Sequence, residues 1–185
     1  MAQSKILVDT NTYLRLAQSI DPLLYVPFGT SDYCLYVIPE MNVELRSWHL
    51  RTKFPWVDQA DFVEGRQRFP NLSRQEKKLI EDTFQFVWDY VVSELPGLSK
   101  VDARYVAYAL ELDIPVVTDD EDMIDLAKQF GARVLRSLEL LKLMLDQNHI
   151  ELAKVRAIVA YWRHIGDTPG QLAKRYRRLF GEDPP

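Results

Sequence analysis

Residues 6–11 have the sequence ILVDTN, and this stretch decides the fold class. Its three apolar residues follow one another without the alternation of a half-exposed strand, which is typical of a strand buried on both faces. The polar residues that come next predict a turn and the start of a helix over residues 12–19. This strand-then-helix unit is the first sign of an α/β protein.

Further strands and helices alternate along the chain. The predicted strands are residues 6–8, 35–38, 114–117 and 133–135. The predicted helices are residues 12–19, 40–51, 58–69, 73–95, 99–112, 119–130 and 138–145. Capping boxes begin two of these helices, at Ser73 and at Ser99, and residues 23–26 are either a loop or a short edge strand. The pattern predicts an α/β fold, a central parallel sheet with helices on both faces.

The length of 185 residues suits one domain with an appended segment. Residues 1–147 contain the strand and helix alternation. Residues 148–185 are predicted to form a C-terminal helical extension of two helices, the first of which has an apolar face that we expect to pack on the domain. The net charge is −4, yet residues 151–185 carry seven Lys and Arg against four Asp and Glu. The extension is therefore basic and the remainder acidic.

The composition excludes several protein classes. With 47% hydrophobic and 27% charged residues, the chain is neither disordered nor fibrous. No apolar run approaches the ~18 residues of a membrane span, and the apolar stretch behind Met1–Lys5 stops at Asp9, unlike a signal peptide. We therefore expect a cytoplasmic protein without a membrane partner. Cys34 is the one cysteine, which excludes an internal disulfide, and three histidines add too few ligands for zinc.

Carboxylates follow two of the predicted strands. Asp9 ends the first strand and a run of acids at residues 119–122 follows the third, so both sets are expected at the same edge of a parallel sheet. Asp102 and Glu44 lie in helices next to that edge. Each acid also has a simpler explanation: Asp9 and Asp120 as helix caps, Asp102 as the acid of a capping box, and Glu44 as a solvated helix residue.

The joint pattern favours a metal site. No Lys or Arg lies between Asp119 and Asp125. Like charges about 4 Å apart repel by about 4 kcal/mol at an effective dielectric near 20, and a cation would relieve that cost. Carboxylates without His or Cys suit Mg²⁺ or Mn²⁺, which prefer oxygen ligands.

Four segments in order resemble the PIN domain: ILVDTN at residues 6–11, IPEMNVEL at 38–45, DARYVAYA at 102–109 and IPVVTDDED at 114–122. The resemblance covers about residues 5–145. It implies a PIN-like three-layer fold and a metal-dependent endoribonuclease, in bacteria often the toxin of a toxin–antitoxin pair. An antitoxin protein that blocks the acidic cleft with an Arg side chain, and a homodimer, are partners that the resemblance makes plausible.

The resemblance also implies roles for individual residues. The catalytic and metal-binding acids would be Asp9, Glu44, Asp102 and Asp120, with Asp122 as an additional metal ligand. Asn11 and Thr118 would support them, Asn11 by orienting the first acid. Glu40 is an alternative to Glu44, although its place after Pro39 favours a helix-start role, and Asp119 is an alternative to Asp120.

Basic and aromatic residues are candidates for RNA binding, since single-stranded RNA is held by cations and stacking faces. The candidate cations are Arg46, Arg104, Lys174, Arg175, Arg177 and Arg178. Tyr176 interrupts the last group and would offer a stacking face, while a solvated basic helix is the simpler interpretation. Trp48 and Trp56 lie beyond Glu44, and we expect core packing for both.

Rival functions differ in their motifs. A receiver domain needs two adjacent acids after its first strand and a Lys after its last, and a haloacid-dehalogenase-like phosphatase needs Asp-x-Asp after the first strand; neither pattern is present. The remaining alternative is a non-catalytic PIN-fold module that binds RNA or another protein.

Overall fold

A four-stranded parallel sheet is the centre of the fold. The computed structural model describes residues 3–185, so Met1 and Ala2, which begin the segment compared above with signal peptides, lie outside the described residues. The strands are β1 (Ser4–Val8), β2 (Tyr33–Tyr36), β3 (Val116–Val117) and β4 (Val134–Leu135). Their order is β2-β1-β3-β4, and every neighbouring pair is parallel. All four carboxyl ends therefore share one edge.

Ten α-helices surround this sheet in the described part of the chain. They are α1 (Thr10–Leu16), α2 (Met41–Glu44), α3 (Trp48–Lys53), α4 (Ala60–Gln67), α5 (Arg74–Glu94), α6 (Lys100–Glu111), α7 (Glu121–Phe130), α8 (Ser137–Asp146), α9 (Leu152–Ile165) and α10 (Leu172–Phe180). A turn of 3₁₀ helix, Pro55–Asp58, follows α3. Of these helices, none has the length and apolar character needed to cross a membrane.

Helices cover both faces of the sheet because β1 is apolar on both. Ile6 and Val8 face a hydrophobic cluster formed with α1, α8, α9 and α10, whereas Leu7 faces a second cluster formed with α5, α6 and α7. Successive side chains of a strand point to opposite faces, which explains this division. The α/β class with a central parallel sheet and helices on both faces is confirmed.

Local signals placed most helix starts correctly. Ser73 and Glu76 form the predicted capping box of α5, and Ser99 and Asp102 form that of α6. Gly131, at φ 80°, ends α7 in the left-handed conformation that glycine adopts without strain.

The structure decides one open alternative and corrects one predicted helix. Residues 23–26 are a loop rather than an edge strand, because Tyr25 has φ 64° and a left-handed residue cannot continue a strand. Residues 40–51 are not one helix but α2 and α3, since Ser47 has an extended ψ of 127° and interrupts the helical backbone.

The extension shares the core of the domain. Val155, Ile158 and Trp162 of α9 and Tyr176 of α10 belong to the same hydrophobic cluster as Ile6 and Val8. Trp162 and Tyr176 are fully buried. The Trp162 indole also donates a hydrogen bond to the Arg15 carbonyl oxygen at 3.3 Å, which joins α9 to α1.

Candidate active site

Asp9 is a buried carboxylate at the end of β1. Its backbone N–H donates to the Val117 carbonyl oxygen at 3.1 Å, which sets it beside Thr118, the residue that follows β3. Its Oδ1 accepts the Thr12 N–H at 2.7 Å and caps α1, and only 2% of the residue is exposed. Burial raises the pKa of Asp9 to about 6, although hydrogen bonds from Thr118 and Thr12 lower it. The nearby charge of Asp119 raises it further.

Thr118 connects the first and the fourth predicted acids. Its side chain is fully buried and contacts the Asp9 carboxylate. The same hydroxyl accepts the Asp120 N–H at 3.1 Å. Asp120 itself is exposed, and its Oδ1 accepts the Met123 N–H at 3.0 Å to cap α7.

Glu44 lies between two hydroxyl groups. Its Oε2 accepts a hydrogen bond from Thr10 at 2.5 Å, and its Oε1 accepts one from Ser99 at 3.0 Å. Burial raises the pKa of Glu44, and the charge of Asp102 raises it as well. The simpler explanation of Glu44 as a solvated helix residue does not fit, because its carboxylate is held between Thr10 and Ser99.

Asp102 lies next to Glu44. Its Oδ2 accepts the Ser99 N–H at 2.8 Å, as the capping box requires. Burial raises the pKa of Asp102, and the charge of Asp120 adds to that rise. Capping thus accounts for Asp9, Asp102 and Asp120 in part, but it uses one oxygen of each carboxylate and does not explain why these acids are neighbours.

The buried hydroxyl of Tyr105 lies near three of these acids. The Tyr105 hydroxyl has no hydrogen-bond partner among residues 3–185, and the residue is fully buried. Burial raises its pKa well above the ordinary value, and the charges of Asp9, Glu44 and Asp102 raise it further. The charges of three predicted acids therefore act on one buried hydroxyl.

The structure separates the two pairs of alternatives. Glu40 accepts a hydrogen bond from the Tyr108 hydroxyl at 3.3 Å and lies 4.0 Å from the Arg104 guanidinium, whereas Glu44 lies beside Asp102. Asp119 is paired with Arg15 at 2.7 Å and with the Ser137 hydroxyl. Glu44 thus belongs to the acid group, and Asp119 already has a cation.

The acids are suited to a hard cation, although they are not drawn together around one. No three His, Cys, Asp or Glu side chains of residues 3–185 converge on a common metal position. The donors at this edge are all oxygens, and burial raises the pKa of Asp9, Glu44 and Asp102. A nearby divalent cation favours the ionised form of each, so the donor set fits Mg²⁺ or Mn²⁺.

A cleft of about 360 Å³ opens beside the acids, and we call it the acidic cleft. Asp119 and Asp120 line it from the sheet edge, Lys53 from α3, and residues 167–170 from the turn between α9 and α10. Asn11 is exposed and also lines the cleft, whereas the Asp9 carboxylate accepts a hydrogen bond from the Thr12 backbone N–H.

Arg15 ties the extension to this cleft. Its guanidinium donates to Asp119 at 2.7 Å and to Asp167 at 2.9 Å. The C-terminal extension therefore forms one wall of the cleft. Asp122, by contrast, is exposed and lies near Gly97, in the connection between α5 and α6.

The predicted RNA-binding cations fall into two groups. Arg46 and Lys174 are exposed and form no ion pair within residues 3–185. The others have partners: Arg104 with Glu81, Arg175 with Glu121, Arg177 with Asp183, and Arg178 with Glu139. Arg104 also covers the Phe84 ring at 3.8 Å, which places its guanidinium on α5 rather than among the acids.

The aromatic residues differ most from expectation. Tyr176 is fully buried, with its hydroxyl donating to Glu182 at 2.9 Å, so it offers no stacking face. Trp56 is in the core as predicted, but Trp48 is 79% exposed. The expectation of core packing is wrong for Trp48, because α3 is short and presents this residue to solvent.

Sequence reasoning missed the residues that hold the acids in place. Glu44 is bound by Thr10 and Ser99, and Asp119 is bound by Arg15. Each of these pairs is separated by more than 30 positions of the chain. Ser99 was visible only as a helix cap, and no local pattern connects Arg15 with Asp119.

The chain matches no protein-family model and no curated protein.

Proposed function

We propose that the protein is a metal-dependent endoribonuclease of the PIN type, which hydrolyses RNA phosphodiester bonds. The observation that carries this proposal is the group of Asp9, Glu44, Asp102 and Asp120 at the carboxyl edge of the sheet, three of which act on the buried Tyr105 hydroxyl. These residues come from four separate segments, so no single helix cap explains their proximity.

The buried acids favour a reaction with a divalent cation. Asp9, Glu44, Asp102 and Asp120 are the residues that would hold Mg²⁺ or Mn²⁺, with the exposed Asp122 as an outer candidate. When bound, such a cation would neutralise the carboxylates and supply Lewis-acid chemistry to a phosphodiester and to water. The family resemblance implies a 5′-phosphate product.

The chain's own residues would prepare this site. Thr118 fixes the positions of Asp9 and Asp120, because its one hydroxyl contacts both residues. Thr10 and Ser99 each hold one oxygen of Glu44 and so limit its rotation. The hydrogen bonds keep the acids oriented before substrate arrives, which is the usual basis of preorganised catalysis.

Cleavage of a labelled single-stranded RNA tests the proposal. The wild type should cut the RNA with Mn²⁺ or Mg²⁺ and not with chelator. Asp9→Asn and Glu44→Gln should each lower the rate by at least about 10–100-fold, since even changes to residues that only support metal ligands commonly cost that much. Glu40→Gln is the matched control and should stay close to the wild-type rate. Full activity of Glu44→Gln would contradict the site assignment.

A non-catalytic module is the second candidate. Three of the acids cap helices, and no three acids of residues 3–185 converge on one metal position, which favours a binding role. RNA binding without metal-dependent cutting in the same assay would support this candidate. The toxin role, an antitoxin and a homodimer are further proposals that follow from the resemblance alone; co-purification and solution mass measurements test them.

A further inference from the structure

A second groove, basic in character, lies between α7, the start of α8 and α10. Its volume is about 480 Å³. Five cations from these three elements line it: Lys128, Arg136, Lys174, Arg175 and Arg178. We call this surface the basic groove. Since its cations are separated in sequence by up to 50 positions, it is a feature of the folded chain rather than the face of one helix.

Acidic neighbours neutralise the basic groove only in part. Glu121 pairs with Arg136 at 2.7 Å and with Arg175 at 3.3 Å, and Glu139 pairs with Arg178 at 3.4 Å. Asp125 pairs with Lys128 at 3.3 Å.

Three carboxylates therefore pair with four of the five cations, while Asp119, whose charge also acts on Arg136 and Arg175, has its ion pair with Arg15. The basic groove keeps an excess of positive charge on a chain whose net charge is −4. Lys174 is exposed and forms no ion pair within residues 3–185, so its charge is available to a ligand.

The basic groove begins where the acidic cleft ends. Gly170 lines the acidic cleft, and the Arg175 guanidinium of the basic groove donates to its carbonyl oxygen at 2.8 Å. The same guanidinium contacts Glu121, which directly follows Asp120 in the chain. A strand of nucleic acid that leaves the acidic cleft along this side would meet the basic groove at once.

We propose that the basic groove binds the phosphate backbone of an RNA strand and holds it next to the acidic cleft. This deepens the proposed ribonuclease function and rests on it for the identity of the ligand. Phosphate contacts position a strand without identifying its sequence. Because Tyr176 is buried, the basic groove has no stacking face from α10, so its contribution to binding is expected to be independent of base sequence.

Binding of a fluorescent single-stranded RNA oligonucleotide in chelator tests this proposal without any cleavage. Lys174→Glu and Lys128→Glu should each weaken binding by about 10-fold at low salt, and each should reduce the dependence of affinity on salt by about one phosphate contact. Lys174→Arg should bind as the wild type does. Lys154→Glu is the control with the same charge change and should lose much less affinity, because Lys154 is exposed on α9 outside the basic groove and forms no ion pair in the described part of the chain.

The outcomes separate this proposal from the function itself. Loss of binding in Lys174→Glu, with the wild type inactive in cleavage, would support the basic groove and refute the nuclease. Equal loss in Lys174→Glu and Lys154→Glu would overturn the basic groove, because general charge would then explain the effect. Absence of wild-type RNA binding at low salt, or displacement of RNA by polyglutamate as readily as by unlabelled RNA, would overturn it too.

Discussion

Arg15 Nη1 lies 2.7 Å from Asp119 Oδ2, and the two side chains are only 10% and 8% exposed. The same guanidinium reaches Asp167 in the turn between α9 and α10. This ion pair therefore joins the first helix, the sheet edge beside the acids and the C-terminal extension. Its removal would leave the buried Asp119 carboxylate without its ion-pair partner, with only the more distant charges of Arg136 and Arg175 to offset it.

Arg15→Gln should lower the free energy of unfolding by about 3 kcal/mol, because breaking one side of a buried ion pair leaves an uncompensated charge. Asp167→Asn is the control. The Asp167 side chain is 39% exposed, so its loss should cost less than about 1 kcal/mol. Urea denaturation at neutral pH measures both. Equal effects of the two variants would show that Asp119 does not depend on Arg15.

Asp9 should make stability depend on pH in the absence of metal. Its pKa in the folded protein is about 6, above the ordinary value of 3.8, so the folded state holds the proton more tightly than the unfolded state does. The contribution of Asp9 to the free energy of unfolding is therefore fully present below about pH 4 and is lost as the pH rises through about 6. The loss is about 3 kcal/mol, from about two pKa units at about 1.4 kcal/mol each.

Asp9→Asn removes this titration. In chelator, the free energy of unfolding of the variant relative to that of the wild type should therefore rise between pH 4 and pH 7 by up to about 3 kcal/mol. Denaturation curves at the two pH values measure the difference. An unchanged difference would mean that Asp9 is not a desolvated carboxylate in the folded protein.

Added Mn²⁺ should stabilise the wild type at pH 7 and raise its melting temperature in a concentration-dependent way, because a ligand bound only by the folded state stabilises it. Glu44→Gln should reduce this shift, while Glu40→Gln, whose side chain faces Tyr108 and Arg104, should keep it. An identical shift in both variants would exclude Glu44 from the cation site.

Local patterns in the sequence predicted the strands, the capping boxes at Ser73 and Ser99 and the end of α7 at Gly131, because residues within a few positions of one another determine them. The edge position of Asp9 and Asp120 followed from strand direction. The Ser99 contact with Glu44 and the Arg15 contact with Asp119 could not be predicted, since they depend on how distant helices pack.

Exposure was equally hard to predict. Trp48 and Trp56 lie eight positions apart, yet Trp48 is exposed and Trp56 is in the core. Trp56→Ala should lower the free energy of unfolding by about 3–5 kcal/mol, whereas Trp48→Ala should change it by less than about 0.5 kcal/mol.

If exposed Trp48 stacks on RNA bases, Trp48→Ala should weaken RNA binding by about 1–3 kcal/mol. Unchanged RNA affinity would exclude that role.

The extension should be necessary for folding. Trp162 of α9 is fully buried, while its neighbour Tyr161 is 45% exposed. Trp162→Ala should therefore cost about 3–5 kcal/mol, and Tyr161→Ala should have little effect. A chain ended at residue 147 loses Trp162 and Tyr176 together, and most of the 5–15 kcal/mol of a typical domain would go with them.

Such a shortened chain should unfold without a cooperative transition, which circular dichroism during heating would detect. A cooperative transition close to that of the full chain would show instead that residues 148–185 are a dispensable addition. Since we expect the shortened chain not to fold cooperatively, the role of α10 in RNA binding has to be tested with point variants at exposed positions, such as Lys174→Glu. Deleting the extension would remove the wall of the acidic cleft along with the basic groove, and the two effects could not be separated.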